Sequence, residues 1–190
     1  MSQHVRVRAC NTLSCFFLVE LHAQAYSPFC QCQTASTCDV QPENVVFREP
    51  MSGNKRPSNK HTVKLVDFGL ARPYSESRSV KARLGSPGFM APEVIRYERH
   101  TPAMDIYSLG VLLFVMLTGH KPMRSEEAHK LAYDGYAAKD YPKMQTWTWK
   151  RLSRPAQDIV LRMLARDPQI RITAAEVCGL MLQLYLQRFM

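Results

Sequence analysis

Residues 37–47 read Thr37-Cys38-Asp39-Val40-Gln41-Pro42-Glu43-Asn44-Val45-Val46-Phe47. A polar loop here turns into a short β-branched strand. The loop sets a carboxylate, Asp39, and an amide, Asn44, five residues apart just before that strand. Working outward, residues 48–61 are a Gly/Pro/Asn/Lys loop, and Val63 to Val66 is a second short strand that runs into Asp67-Phe68-Gly69. A long irregular segment then closes at Ala91-Pro92-Glu93. Three short polar motifs therefore occur in order, each at the end of a strand or loop.

Helical signals dominate beyond Glu93. Ala103 to Thr118 is apolar almost all round, which predicts a helix buried on every side, stopped by Gly119 and Pro122. Ser125 with Glu126 and Glu127 starts the next helix. Ser153 caps another, with Pro155 in its first turn and Ile159, Val160, Met163 and Leu164 on one face. Thr173 and Glu176 form a capping box for a last helix, whose inner stripe is Val177, Leu180, Met181 and Leu184. The predicted fold is mainly α (α+β): loops and two to four short strands first, helices to the end.

Composition agrees with one globular domain. The 190 residues are 46% hydrophobic and 22% charged, which excludes a disordered acidic tail, a collagen-like repeat or a small disulfide scaffold. No uninterrupted apolar run reaches membrane-spanning length, so no membrane partner is expected. The net charge of +9 favours acidic or phosphorylated partners, yet no dense Lys/Arg run alternates with aromatics, so nucleic acid is not expected either. Five cysteines fall in the first 38 residues (Cys10, Cys15, Cys30, Cys32, Cys38) without zinc-ligand spacing, and read as free thiols of a reducing compartment. Residues 1–36 are an atypical, Cys-rich arm. Arg6 and Arg8 before Leu13 to Val19 give it a faint secretory look, but Glu20 ends the apolar run early, so secretion is not expected.

The ordered set Asp39…Asn44, Asp67-Phe68-Gly69 and Ala91-Pro92-Glu93 resembles the serine/threonine protein kinases, whose pattern is H-R-D-x-x-x-x-N, D-F-G and A-P-E. The resemblance covers residues 37–190 and implies the large, C-terminal lobe of that fold, with the small lobe missing. It looks most like the calcium/calmodulin-dependent group. It implies ATP and Mg²⁺ as cofactors and a protein Ser/Thr hydroxyl as acceptor. Asp39 would be the catalytic carboxylate. Asn44 and Asp67 would hold Mg²⁺, a hard cation that takes oxygen ligands. Gly69 would free the backbone and Phe68 would pack beneath the site. Gly85-Ser86-Pro87-Gly88-Phe89-Met90 resembles the substrate-docking loop, which sets Ser86 beside the catalytic residues. Asp105 would tie down the backbone of the catalytic loop, and Arg171 would pair with Glu93.

Departures from the pattern matter equally. Neither G-x-G-x-x-G nor V-A-I-K occurs in the chain. These motifs cover ATP and hold its phosphates in the family, so activity of these residues alone is not expected, and a non-catalytic interaction module is the alternative. The apolar surface facing the small lobe would then offer a place for a partner. Thr37 and Cys38 stand where His and Arg are usual. Gln41 replaces a lysine and supplies a hydrogen bond without charge, a loss on the order of 10²-fold in rate. Ala82 occupies the usual activating phosphosite, which leaves Ser75, Ser77 and Ser79 as loop serines. Glu43 hints at basic residues upstream of the target hydroxyl. The expected compartment is cytoplasmic, or nuclear.

Overall fold

The computed structural model describes residues 35–47, 63–73 and 81–187. Residues 1–34 of the Cys-rich arm, the loop 48–61 and Ser75, Ser77 and Ser79 lie outside the described residues.

Four short strands form two antiparallel pairs. Strand β1 (Ala35–Ser36) pairs with β4 (Arg72–Pro73), setting Ser36 opposite Arg72. Strand β2 (Val45–Phe47) pairs with β3 (Val63–Leu65), setting Val45 opposite Leu65 and Phe47 opposite Val63. The second pairing continues one residue further, where the Val66 N–H donates to the Asn44 carbonyl at 2.8 Å. Strand β1 lies on the arm side of position 37, and Ser36 is buried, so its backbone belongs to the packed body.

The helices are α1 (Pro92–Ile95), α2 (Ala103–Thr118), α3 (Ser125–Asp134), α4 (Trp147–Lys150), α5 (Arg154–Met163) and α6 (Ala174–Gln187). Helix α2 runs through the centre, with Met104 and every residue from Ile106 to Phe114 buried. That burial is what its unbroken apolar sequence dictates. Gly119 ends it at φ 83°, its N–H returning to the Val115 carbonyl at 2.8 Å. Helix α5 lays Ile159, Val160, Met163 and Leu164 against α2, and the approach is close. A Cβ on Gly110 would stand 2.8 Å from Met163 Cβ. Phe114 stacks on Trp149 of α4 at 5.3 Å between ring centroids.

The expected caps form. Ser153 Oγ accepts from Ala156 N–H, and Thr173 and Glu176 satisfy each other's backbone amides. Val177 and Met181 of α6 are buried, with Leu180 and Leu184 packed at the edge of the core. Helix α3 begins at Ser125 as expected, but Arg124 holds the capping position, its N–H donating to Glu127 at 2.9 Å. Cys38 and Val40 join the same core as α2, so the loop before β2 is anchored in the helical body.

Candidate active site

Asp39 sits on a loop whose two ends are fixed. On one side Cys38 plugs into the core with its backbone in the left-handed region, at φ 61°. Asp105, at the start of α2, accepts the Thr37 N–H at 2.7 Å and the Cys38 N–H at 3.1 Å. A helix start thereby supplies acceptors for two loop amides that would otherwise be buried unpaired. Burial pushes the Asp105 carboxyl above its ordinary value, while the hydrogen bond from the Thr37 amide pulls the other way. Burial likewise raises the Cys38 thiol above its ordinary value. On the other side of Asp39 a single 3-10 turn, Pro42–Asn44, leads into β2.

Three N–H donors converge on the Asp39 carboxylate. Gln41 Nε2 donates to Oδ2 at 2.9 Å, Asn44 Nδ2 to Oδ2 at 3.0 Å, and the Ser86 backbone N–H to Oδ1 at 2.9 Å. Asn44 Nδ2 also donates to the Asp39 carbonyl at 2.9 Å. The carboxylate is therefore aimed by groups from two segments, and its rotamer is set before any ligand arrives. Gln41 spends its amide on Asp39. A close approach holds the Ser86 side in place: a Cβ on Gly85 would lie 2.5 Å from the Cys38 carbonyl oxygen, and Gly85 has φ 103°, so only glycine fits there.

Asp67 is brought to the same place by strand pairing. Val45 faces Leu65 and Asn44 bonds Val66, which makes Asp67 the next residue past the end of the ladder, beside Asn44. Asp67 is exposed, in left-handed backbone at φ 62°, and its Oδ1 accepts the Gly69 N–H at 3.1 Å. Cys38 and Asp67 are two of the three non-glycine residues with positive φ among those described, and both flank this site. Such backbone persists where the surroundings over-determine it, commonly at functional positions. Phe68 departs from expectation. It is 53% exposed and outside the hydrophobic core, because that core lies on the helical side of the loop and the turn after Asp67 carries Phe68 away from it.

The segment 85–91 is held from below. Ser108 Oγ, inside α2, donates to the Phe89 carbonyl at 2.8 Å, and the Phe89 N–H closes a turn onto Ser86 at 3.1 Å. Glu93 and Arg171 meet as expected, at 2.7 and 2.9 Å through a two-pronged contact with side chains 1% and 0% exposed. Arg171 also donates to the carbonyls of Ala103, Ala165 and Arg166, so all five of its N–H groups are used.

Sequence reasoning missed the β1–β4 pair, Ser108 and Lys121. A two-residue strand carries no periodicity, and a serine in an apolar helix looks like filler. Lys121 Nζ lies 4.5 Å from the centroid of the Phe89 ring and 3.3 Å from the Pro87 carbonyl, a contact between residues 34 apart in the chain.

Residues 28–181 match the protein kinase domain. The chain belongs to the protein kinase family. Its relatives are serine/threonine kinases. It is 33% identical over 137 residues to calcium/calmodulin-dependent protein kinase type II of Caenorhabditis elegans, which covers 72% of this chain and 18% of that protein. It is 34% identical over 140 residues to the type II alpha chain of Drosophila melanogaster, covering 73% of this chain and 24% of that one. It is also 32% identical over 141 residues to serine/threonine-protein kinase PEPKR2 of Arabidopsis thaliana, covering 73% and 27%. The chain thus spans about a quarter or less of the length of most of these relatives.

The family uses ATP and Mg²⁺, and the residues present fit the cation. The Asn44 NH₂ is spent on Asp39, which leaves its amide oxygen for a cation, and Asp67, one residue past the Val66 bond to the Asn44 carbonyl, offers an exposed carboxylate. Two oxygen donors suit Mg²⁺, which binds through one or two protein ligands plus phosphates. Among the described residues no group of three or more His, Cys, Asp or Glu could hold a metal, and no helix is long and apolar enough to cross a membrane.

Proposed function

We propose that this chain carries the part of a serine/threonine kinase site that aligns a protein Ser/Thr hydroxyl for phosphoryl transfer from MgATP. Asp39 orients the hydroxyl and accepts its proton. Asn44 and Asp67 hold Mg²⁺, which when bound neutralises phosphate charge. Gly69 gives the Asp67 turn its freedom, and the loop around Ser86 seats the acceptor peptide. Glu93, Asp105 and Arg171 are structural. The observation that carries this reading is the three-donor grip on Asp39 from two loops, with the Asp67 turn next to Asn44. Positioning of this kind supplies most of the rate in phosphoryl transfer. ATP as donor, and the free thiols of Cys38 and Cys178, suit a reducing cytoplasmic compartment.

A second reading, a non-catalytic interaction module, is favoured by the exposure of Phe68 and by Gln41 being uncharged and turned onto Asp39. Titration with MgATP under thermal melting separates the two, since a ligand that binds only the folded state must raise the melting temperature. A magnesium-dependent rise, with phosphate entering a serine peptide and lost in Asp39→Asn, supports the kinase reading. An unchanged melt at millimolar MgATP overturns it in favour of the module.

A further inference from the structure

Lys121 lies in the loop between α2 and α3, and it is the cation closest to the substrate-docking loop in the contacts described. Its ammonium sits over the face of buried Phe89 and donates to the Pro87 carbonyl. The turn beneath it is rigid, because Phe89 is bonded both to Ser86 and to Ser108 of the central helix. An ammonium carries three donors, and the Pro87 contact uses one. No carboxylate lies within ion-pair distance of Lys121 among the described residues, whereas its neighbour Arg124 is paired with Glu127 at 2.7 Å. The ammonium is held over an aromatic ring and against a carbonyl, so part of the ordering cost of a lysine is already met before a ligand arrives.

The same loop reaches the catalytic carboxylate. Ser86 bonds Asp39 at 2.9 Å, and the very next residue, Pro87, receives Lys121 at 3.3 Å. Given the reach of two residues, the ammonium lies no more than about 13 Å from Asp39, about four residues of extended peptide.

We propose that Lys121 makes this lobe select an acidic side chain within about four residues of the acceptor hydroxyl. The proposal rests on the reading of residues 85–90 as the peptide-docking loop. A cation fixed on a rigid, partly desolvated platform discriminates by charge more than it adds raw affinity.

The test uses the whole chain and fluorescein-labelled serine peptides. Glu or Ala is placed in turn at each of the four positions on either side of the serine, and binding is read by anisotropy. At one position Glu should bind about three- to fivefold more tightly than Ala, the scale of a half-exposed ion pair. Lys121→Met keeps an unbranched side chain of similar length beside Phe89 without the charge, and should bring that ratio to about one with the Ala-peptide affinity unchanged. Lys121→Arg should retain the ratio. A ratio that survives Lys121→Met, no position preferring Glu, or an equal loss of both peptides would overturn the proposal while leaving the docking loop in place. Failure of the wild-type chain to bind any peptide would remove the docking-loop reading and the proposal with it. Should Lys121→Met not fold, the wild-type ratio is read between about 50 and about 500 mM salt, where screening must shrink it; a salt-independent ratio overturns the proposal.

Discussion

The helical base and the rim around Asp39 treat their polar groups in opposite ways. At the base, the Glu93–Arg171 pair is buried with every guanidinium N–H matched. At the rim, Asp67 and Gly69 are exposed, Phe68 faces solvent, and Asn44 spends its amide nitrogen on Asp39. Saturated groups hold a structure together; groups with spare oxygens bind ligands. Asp39 stands between the two regimes. It is fixed as firmly as a base residue, yet at the mouth of the site.

This contrast can be broken most directly at Arg171. Arg171→Ala leaves Glu93 charged and buried, and should cost about 3–5 kcal/mol in urea unfolding. The double change Glu93→Leu with Arg171→Met should recover much of that loss. Recovery would show that the pair adds little net stability beyond what apolar packing at the same place supplies. Next comes the tie from the base to the rim. Asp105→Ala strips the acceptor from the Thr37 and Cys38 amides and should cost about 2–3 kcal/mol, read by the same unfolding curves.

A smaller effect lies at His100, 7% exposed with its Nε2 unpartnered. Burial lowers its pKa, opposed by a hydrogen bond to the Ala82 backbone and by the charge of Glu93. The unfolded chain then binds the proton more readily than the folded one. Stability is complete above the ordinary histidine pKa and falls as pH drops below about 6.5, by at most about 1.4 kcal/mol per pH unit. His100→Phe should flatten this slope in unfolding measured from neutral to mildly acid pH. The smallest effect sharpens the comparison from the other side. Asp67→Asn should change stability by less than about 0.5 kcal/mol, as an exposed rim residue should, yet abolish any magnesium-dependent rise in melting temperature with ATP.

Much of the base was legible in the residues. The long apolar run of α2, the Ser153 cap, the Thr173–Glu176 box and the apolar stripes of α5 and α6 are local patterns, and local patterns follow from backbone geometry and period. The motifs Asp39…Asn44 and Asp67-Phe68-Gly69 were legible too, and so was the pairing of Glu93 with Arg171 through family resemblance. What could not be read were contacts whose partners lie far apart in the chain. Gln41 was expected to supply a hydrogen bond without charge, but its partner, the Asp39 carboxylate, was not foreseen. Phe68 was expected to pack beneath the site; its ring is open to solvent. Ser86 was assigned to the docking loop, but the bond to Asp39 comes from its backbone N–H, and no side-chain pattern announces a backbone donor.

The residue order alone settles the helical body, strands β2 and β3 and the inventory of oxygen donors, because periodicity and capping act over a few residues. Chain folding settles which donors meet. The β2–β3 ladder delivers Asp67 to Asn44, the Gly85 contact delivers Ser86 to Asp39, and the end of α2 delivers Lys121 to Phe89. Each of these depends on packing across tens of residues, where distance in space is set by the core and not by spacing in the chain.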